Sequence, residues 1–272
     1  MNFLDQPLHF CVLIPCYNDE HGLVAALKSI RYSVAKCLAV VVDDGSKVPL
    51  THQKLQEAVG TQLQIHLIRL QQNSGITIAL NTGLHWMAAN TSAPYMARLD
   101  CNDICDEHRF IKQIDFLNSH PEIGLLGSWC RFQEAGTHNS YPYTTPLVHE
   151  EIKKAMHLRN VFIHPTVMLR TSLVKEGNYY PENYPHAEDY AFFWKLLKKT
   201  KGAVLDQFLV TCAITRSGIS YHNRQAQLRS RKKVVIDFSD EVWKKIMGVI
   251  KIKILMMMPK SLLLQLKTLK KL

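Results

Sequence analysis

The chain has 272 residues, 47% hydrophobic and 21% charged, ordinary figures for a globular protein that exclude wholesale disorder. No run approaches the roughly 18 uninterrupted apolar residues of a membrane-spanning helix, and the opening "MNFLDQPLHFCVLIP" carries Asp5 and lacks the basic n-region of a signal peptide. The net charge of +10 does not describe a nucleic-acid surface, because residues 241–272 hold eight lysines against Glu241 alone and leave only +3 for the first 240 residues.

In chain order, "FCVLIP" predicts a short buried strand and the spacing of Leu23, Ala26, Leu27 and Ile30 a helix. "CLAVVVDD" is a second strand, followed by a helix from Pro49 to Val59. "LQIHLIRL" is a third, "SGITIALNTGLHWMAAN" a helix, and "PYMARLD" a fourth strand. Strands alternating with helices imply βαβ units: an α/β fold with a mostly parallel sheet and right-handed crossovers. Further on, "IGLLGSWCRF" and "HPTVMLR" read as strands, "TPLVHEEIKKAMHL" as a helix, and "GAVLDQFLVTCAIT" as a final strand pair. "AEDYAFFWKLLKK" is a helix whose acidic start suits the positive end of the helix dipole.

Residues 1–220 read as one domain, with halves of about 1–105 and 106–220, and residues 221–272 as a basic tail. Pro259 separates "EVWKKIMGVIKIKILMMM" from "KSLLLQLKTLKKL". Each segment can put apolar residues on one face and lysines on the other, as helices lying in a membrane interface do. The alternative is a terminal helix packed on the domain with solvated lysines. The run Arg224, Arg229, Arg231, Lys232 and Lys233 reads as a solvated helix face, with diphosphate or lipid-headgroup contact as the alternative; Trp86 and Trp129 read as core or pocket wall, and Trp194 as packing on the apolar side of its helix. Seven cysteines without a CxxC pair or zinc spacing suggest reduced thiols, so Cys101 and Cys105 receive no role.

Three acidic motifs fall at strand C-termini: "PCYND", "VVDDGS" and "RLDCND". In open α/β sheets that is where ligands bind, so the three are expected to converge on one cleft. A carboxylate of "VVDDGS" can accept hydrogen bonds from a nucleobase or ribose, or can cap a turn. "RLDCND" offers hard oxygens for Mg²⁺ or Mn²⁺ bridging a diphosphate, or forms a solvated turn. In "AEDYAFFW", Glu188 or Asp189 can serve as a general base, or merely complement the helix dipole.

"VLIPCYND", "VVVDDGS", "RLQQNSGITIALNTGL", "MARLDCNDICDEHRF", "IGLLGS", "HPTVMLR", "AEDYAFFWKLLKK" and "ITRSGIS" occur in an order that resembles bacterial family 2 glycosyltransferases of the GT-A fold, over residues 8–225. The resemblance implies a Rossmann-like, mostly parallel sheet flanked by helices. The implied reaction is inverting transfer of a sugar from a nucleotide-diphosphate donor, usually UDP-linked, to an acceptor hydroxyl. By the same resemblance Pro15, Tyr17 and Asp44 line the nucleoside pocket, and Arg69, Asn73, Gly75 and Asn81 run beside the donor cleft. Asp100, Asn102 and Asp103 match the motif for the metal (Mn²⁺ or Mg²⁺) and diphosphate, and Arg216 the closing segment that meets the diphosphate. Asp189 matches the catalytic base, with Glu188 in the acceptor or sugar pocket and His164 either there or a satisfied structural histidine. Asn102 stands where the family's pattern has an aspartate; an amide oxygen coordinates without charge, so metal affinity is expected to fall. The tail suggests a lipid-linked or lipopolysaccharide-type acceptor, with the enzyme peripheral on the cytoplasmic face of the cell membrane and engaging no nucleic acid. A non-catalytic protein with a degenerate site is the rival reading. A nucleotidyltransferase is disfavoured because "PCYNDEHG" lacks a basic, glycine-rich phosphate loop.

Overall fold

The computed structural model describes residues 7–33, 36–134, 137, 139–214 and 223–258. Its first half is the expected alternation: β1 (Phe10–Cys16), α1 (Glu20–Ser29), β2 (Cys37–Asp43), α2 (His52–Val59), β3 (Gln64–Arg69), α3 (Ile76–Asn90) and β4 (Tyr95–Arg98). β1, β2 and β4 are buried along their whole length, which is why they read as unbroken apolar runs. Their period of two divides the core. Cys11 and Leu13 of β1 pack with Ala79, Leu80 and Leu84 of α3, while Phe10, Val12 and Ile14 pack with Leu23, Ala26 and Leu27 of α1.

The second half comprises β5 (Ile104–Cys105), α4 (Arg109–Ser119), β6 (Ile123–Glu134), β7 (Ser140–Tyr143), α5 (His149–Met156), β8 (Met168–Arg170), α6 (Thr171–Lys175), α7 (Glu188–Leu197) and β9 (Lys201–Ile214). One sheet of order β3-β2-β1-β4-β8-β6-β9-β5 runs through both halves, with β7 paired to β6. β1–β4 are mutually parallel; β8 runs antiparallel between β4 and β6, and β9 is parallel to β6. Two expectations need correction. "GAVLDQFLVTCAIT" is a single long strand whose register against β6 shifts around Trp129, so it bends where a break was expected. "HPTVMLR" opens as a 3₁₀ turn over His164–Thr166, and only Met168–Arg170 pairs in the sheet, because Pro165 has no N–H to give the ladder.

The tail contributes α8 (Arg224–Phe238) and α9 (Val242–Met257), packed against each other with α8 on α7. Arg224 Nη1 donates to Met258 O at 3.3 Å and Gln225 Nε2 to Met256 O at 3.1 Å, which satisfies carbonyls at the C-terminus of α9 and complements its dipole. At Gly248 a Cβ would lie 2.2 Å from the carbonyl oxygen of His157, so glycine is what lets α9 close on the end of α5. Among the described residues no helix is long and apolar enough to cross a membrane. Pro259 and the second lysine-rich segment lie outside the described residues.

Candidate active site

The turns after β1 and β2 form one wall of a cleft. Asp19 caps α1 by accepting from Gly22 N at 2.9 Å, and Tyr17, 45% exposed, stands at the mouth. After β2 the adjacent aspartates divide the work. Asp43 accepts from Ser46 N at 2.9 Å and Leu50 N at 3.3 Å, folding its own turn, and receives Arg69 Nη1 at 3.2 Å. Asp44 turns the other way and accepts from Ser74 N at 2.8 Å and Gly75 N at 3.0 Å, at the entry to α3. Between that turn and the 72–73 backbone there is no room for a side chain. A Cβ on Gly45, at φ +71°, would meet the Gln72 carbonyl carbon at 2.3 Å.

The loop after β4 supplies the floor. Arg98 is buried, ion-pairs with Asp100 and also donates to Leu99 O. Despite the desolvation that burial imposes, the Arg98 charge holds Asp100 below the usual carboxylate range. Asp103 is 4% exposed and accepts from Ala213 N of β9 at 2.8 Å. Burial, and then the charge of Asp100, push its carboxyl well above the usual range. Asn102 sits at φ +68°, a left-handed conformation asparagine tolerates, and donates its amide to Asp19. It is therefore held by a neighbouring carboxylate.

Asp189 and Glu188 open α7. Asp189 Oδ2 receives Asn160 Nδ2 at 2.9 Å and Oδ1 receives Tyr190 N at 2.7 Å. Burial pushes Asp189 up to about 6, against the pull of those donors and the Arg231 charge. Glu188 is 8% exposed, and its Oε2 has no hydrogen-bond partner. Burial and the charge of Asp189 carry it to about 7. Both carboxylates feel the charge of Asp100, so floor and helix belong to one electrostatic neighbourhood. His164 Nε2 lies 2.8 Å from Tyr180 Oη, and burial and the Arg98 charge hold its imidazole neutral, with a pKa near 3. Tyr180 is fixed in turn by Asn81, whose amide clasps the Tyr180 N–H and C=O at 2.9 Å each.

The turns after β1 and β2, the start of α3 and the loop after β4 line a cleft of about 610 Å³, within the usual range for a small-molecule site. Pro15, Tyr17, Asp44, Asn73, Gly75, Asp100, Asn102 and Asp103 all line it, as do Ile163 and Ala213 from the second half. Five expected residues stand elsewhere. Arg69 braces the turn after β2 and Asn81 clasps Tyr180, both outside the lining, because each spends its polar atoms on backbone or on Asp43. Glu188, Asp189 and His164 likewise lie outside the lining, each feeling the charge of Asp100. Arg216 lies outside the described residues.

Comparison with known proteins sets this arrangement in a lineage. The family described as Glycosyl transferase family 2 matches residues 11–177, more than half of the chain. The chain belongs to glycosyl transferase family 2. It is 29% identical over 192 residues to the amylovoran biosynthesis glycosyltransferase AmsE of Erwinia amylovora, covering 69% of each protein. It is 27% identical over 227 residues to the Escherichia coli UDP-Gal:alpha-D-GlcNAc-diphosphoundecaprenol beta-1,3-galactosyltransferase, covering 80% of each. Among solved structures, S. aureus TarS 1–349 with UDP-GlcNAc superposes with a TM-score of 0.67 at 20% identity, over 89% of this chain and 70% of that one. The mannosyltransferase PcManGT of Pyrobaculum calidifontis with GDP-Man and Mn²⁺ superposes with a TM-score of 0.61 at 15% identity, over 91% and 69%. The fold of this glycosyltransferase is thus GT-A.

Three residues that pattern reading passed over, and one it met only as part of a motif, shape this site. Arg98 was findable: strand periodicity puts it on the same side as Asp100, two positions on. Asp19 is the acid of "PCYND", and it caps α1 as the acid of a D-x-x-G turn. Asn160 and Tyr180 come from irregular segments and are brought in by tertiary packing, so the sequence carries no local signal for them.

Proposed function

We propose that this glycosyltransferase inverts the anomeric centre as it moves a sugar from a UDP-linked donor to a hydroxyl of a lipid-linked or lipopolysaccharide-type acceptor, in surface polysaccharide synthesis. The observation that carries the reading is the meeting, around one 610 Å³ cleft, of an exposed tyrosine, the capped Asp44 and the Asp100–Asp103 floor. Tyr17 would lay its ring on the base beside Pro15 and Asp44, and Asn73 and Gly75 would flank the donor. Arg216 would meet the diphosphate. TarS complexes with UDP and UDP-GlcNAc support the donor class. The name of the E. coli relative supports a diphosphoundecaprenol-borne acceptor, and that of AmsE a polysaccharide product.

The donor set fits a hard divalent cation, Mn²⁺ or Mg²⁺: Asp100 and Asp103 bring two carboxyl groups to the same cleft wall, and oxygen donors are what those ions take. Asp100 and Asp103 would hold it, with Asn102 keeping Asp19 in place. A bound cation would supply neutralisation of the leaving diphosphate. Asp189, oriented by Asn160, would take the proton of the acceptor hydroxyl as its oxygen bonds to the anomeric carbon and the bond to the diphosphate breaks. Glu188 and His164 would shape the sugar or acceptor pocket, His164 as a neutral imidazole fixed by Tyr180.

Residues 241–272 would hold the enzyme at the inner membrane face. Trp243, Ile246, Met247, Ile250, Ile254 and Met257 are all exposed and fall within an arc of about 100° on α9. Lys244 and Lys251 flank one edge of that arc and Lys253 the other, while Gly248 and Ile252 face inward.

Calorimetric titration with UDP, GDP and CDP, each with Mn²⁺ and with chelator, tests the donor site. UDP is expected to bind, and more tightly with Mn²⁺. Asp189→Asn should keep that binding and lower kcat by about 10³-fold, within the span for a lost general base. Retained turnover would move the base elsewhere, and absence of nucleotide binding would favour the degenerate-site reading that Asn102 suggests.

A further inference from the structure

A second cluster of metal-ligating groups lies away from the cleft, at the corner where the tail folds back. His157 caps the end of α5, is 1% exposed, and meets Trp194 edge-on with ring centroids 5.0 Å apart. Its Nδ1 lies 2.6 Å from Ser239 Oγ, and Ser239 Oγ reaches the Glu241 carbonyl at 3.4 Å. That chain fits a proton on Nδ1 donated to Ser239, with Ser239 donating onward to the carbonyl, and leaves Nε2 as an acceptor. Nε2 has no hydrogen-bond partner. It is aimed at Glu241 Oε1, 3.8 Å away, and Asp240 Oδ1, 4.0 Å away. The three ligand atoms all lie within 4.8 Å of one another.

A buried ring nitrogen left without a partner is costly, and two carboxylates pointing at a neutral imidazole nitrogen offer it no hydrogen. A cation satisfies all three. We propose that His157 Nε2, Asp240 and Glu241 bind Zn²⁺, with solvent in the fourth position. One imidazole and two carboxylates are a mixed nitrogen and oxygen set that suits zinc better than the all-oxygen ions Mg²⁺ and Ca²⁺. Zinc bonds of about 2.0–2.1 Å at the tetrahedral angle require ligand atoms about 3.4 Å apart. Asp240 and Glu241 are 54% and 53% exposed, so they are free to move inward by that margin and leave the ion a path from solvent. Ser239 is the outer partner that fixes the ring, as ligating histidines require. Lys244 ion-pairs with Glu241 and opposes the cation, but the pair is exposed and weak. The bound ion would tie α5 of the catalytic domain to the α8–α9 corner and fix the direction in which α9 leaves it.

The test uses the full chain stripped with chelator and titrated calorimetrically with Zn²⁺ alone. Co²⁺ then serves as a spectroscopic probe of ligand type. One equivalent is expected, with visible Co²⁺ bands but without the near-ultraviolet thiolate band that cysteine ligation would give. Asp240 and Glu241 are exposed, so D240N/E241Q should fold and lose at least about 100-fold in zinc affinity. Ser239→Ala should lose about 10- to 100-fold, and Lys244→Ala should bind more tightly. UDP titration should be unchanged in all three, which separates this site from the donor cleft. Absence of a zinc equivalent, a thiolate band, or unaltered affinity in D240N/E241Q would overturn the proposal.

Discussion

Glu188 is an acid the fold would rather keep protonated. Its pKa is carried from 4.5 to about 7 by burial and by Asp189, which itself rises to about 6, and two carboxyls this close titrate as a pair. A folded-state pKa above the unfolded one means that folding favours the proton. The penalty is absent below about pH 4.5, grows as pH rises to 7, and is complete above it. Glu188→Gln should therefore stabilise the protein by about 2–3 kcal/mol at pH 8 and by little at pH 4.5. Thermal melts at the two pH values check this, with a rise of several degrees expected only at the higher one. Transfer should show the complementary profile, kcat/KM falling as pH drops through the range near 6 where Asp189 gains its proton. Legibility at this scale follows locality. Asp44, Asp100 and Asp189 announce themselves because strand ends and a helix start position them. The clasp of Asn81 on Tyr180 spans 99 positions, and no window of sequence contains it.

Among the elements, α9 shows what periodicity can and cannot say. The alternation of isoleucine, methionine and lysine predicts an amphipathic helix, and a helix forms over Val242–Met257. Which side turns inward is decided by Gly248 against His157 and by Ile252, a fact of packing that the pattern alone leaves open. The stripe left outside is testable without disturbing that packing. Trp243→Glu and Ile250→Glu, at positions 73% and 46% exposed, should each weaken flotation with anionic phosphatidylserine vesicles by about 10-fold or more. Raised salt should weaken the wild type in the same assay through its lysines. Unchanged flotation in both variants would remove α9 from the membrane. Deleting the helix is a poorer experiment, since it would also uncover His157 and Val235 beneath it.

At the scale of the whole molecule, the order of the parallel half was readable because each βαβ unit repeats one rule; the strands and helices of the second half were readable one by one, but their order in the sheet was not, because β8 breaks that rule. Three residues long, β8 runs antiparallel and joins β4 to β6, pairing Tyr95 with Arg170 and Leu125 with Leu169. Its place in the sheet follows from partners far along the chain, not from its own composition. That has a consequence for synthesis. β4 is complete at Arg98, yet its outer edge has no neighbour until Met168–Arg170 emerge, about 70 residues later. At about 5–20 residues per second, a growing chain carries an open edge of a buried strand for roughly 4–14 s. Stalled nascent chains should resist protease across β1–β4 only once β8 has cleared the ribosome. Protection at shorter lengths would show that some other segment covers that edge first. Substitutions that slow elongation between residues 98 and 170 would lengthen the exposure and cost yield, while leaving the finished enzyme as stable as before.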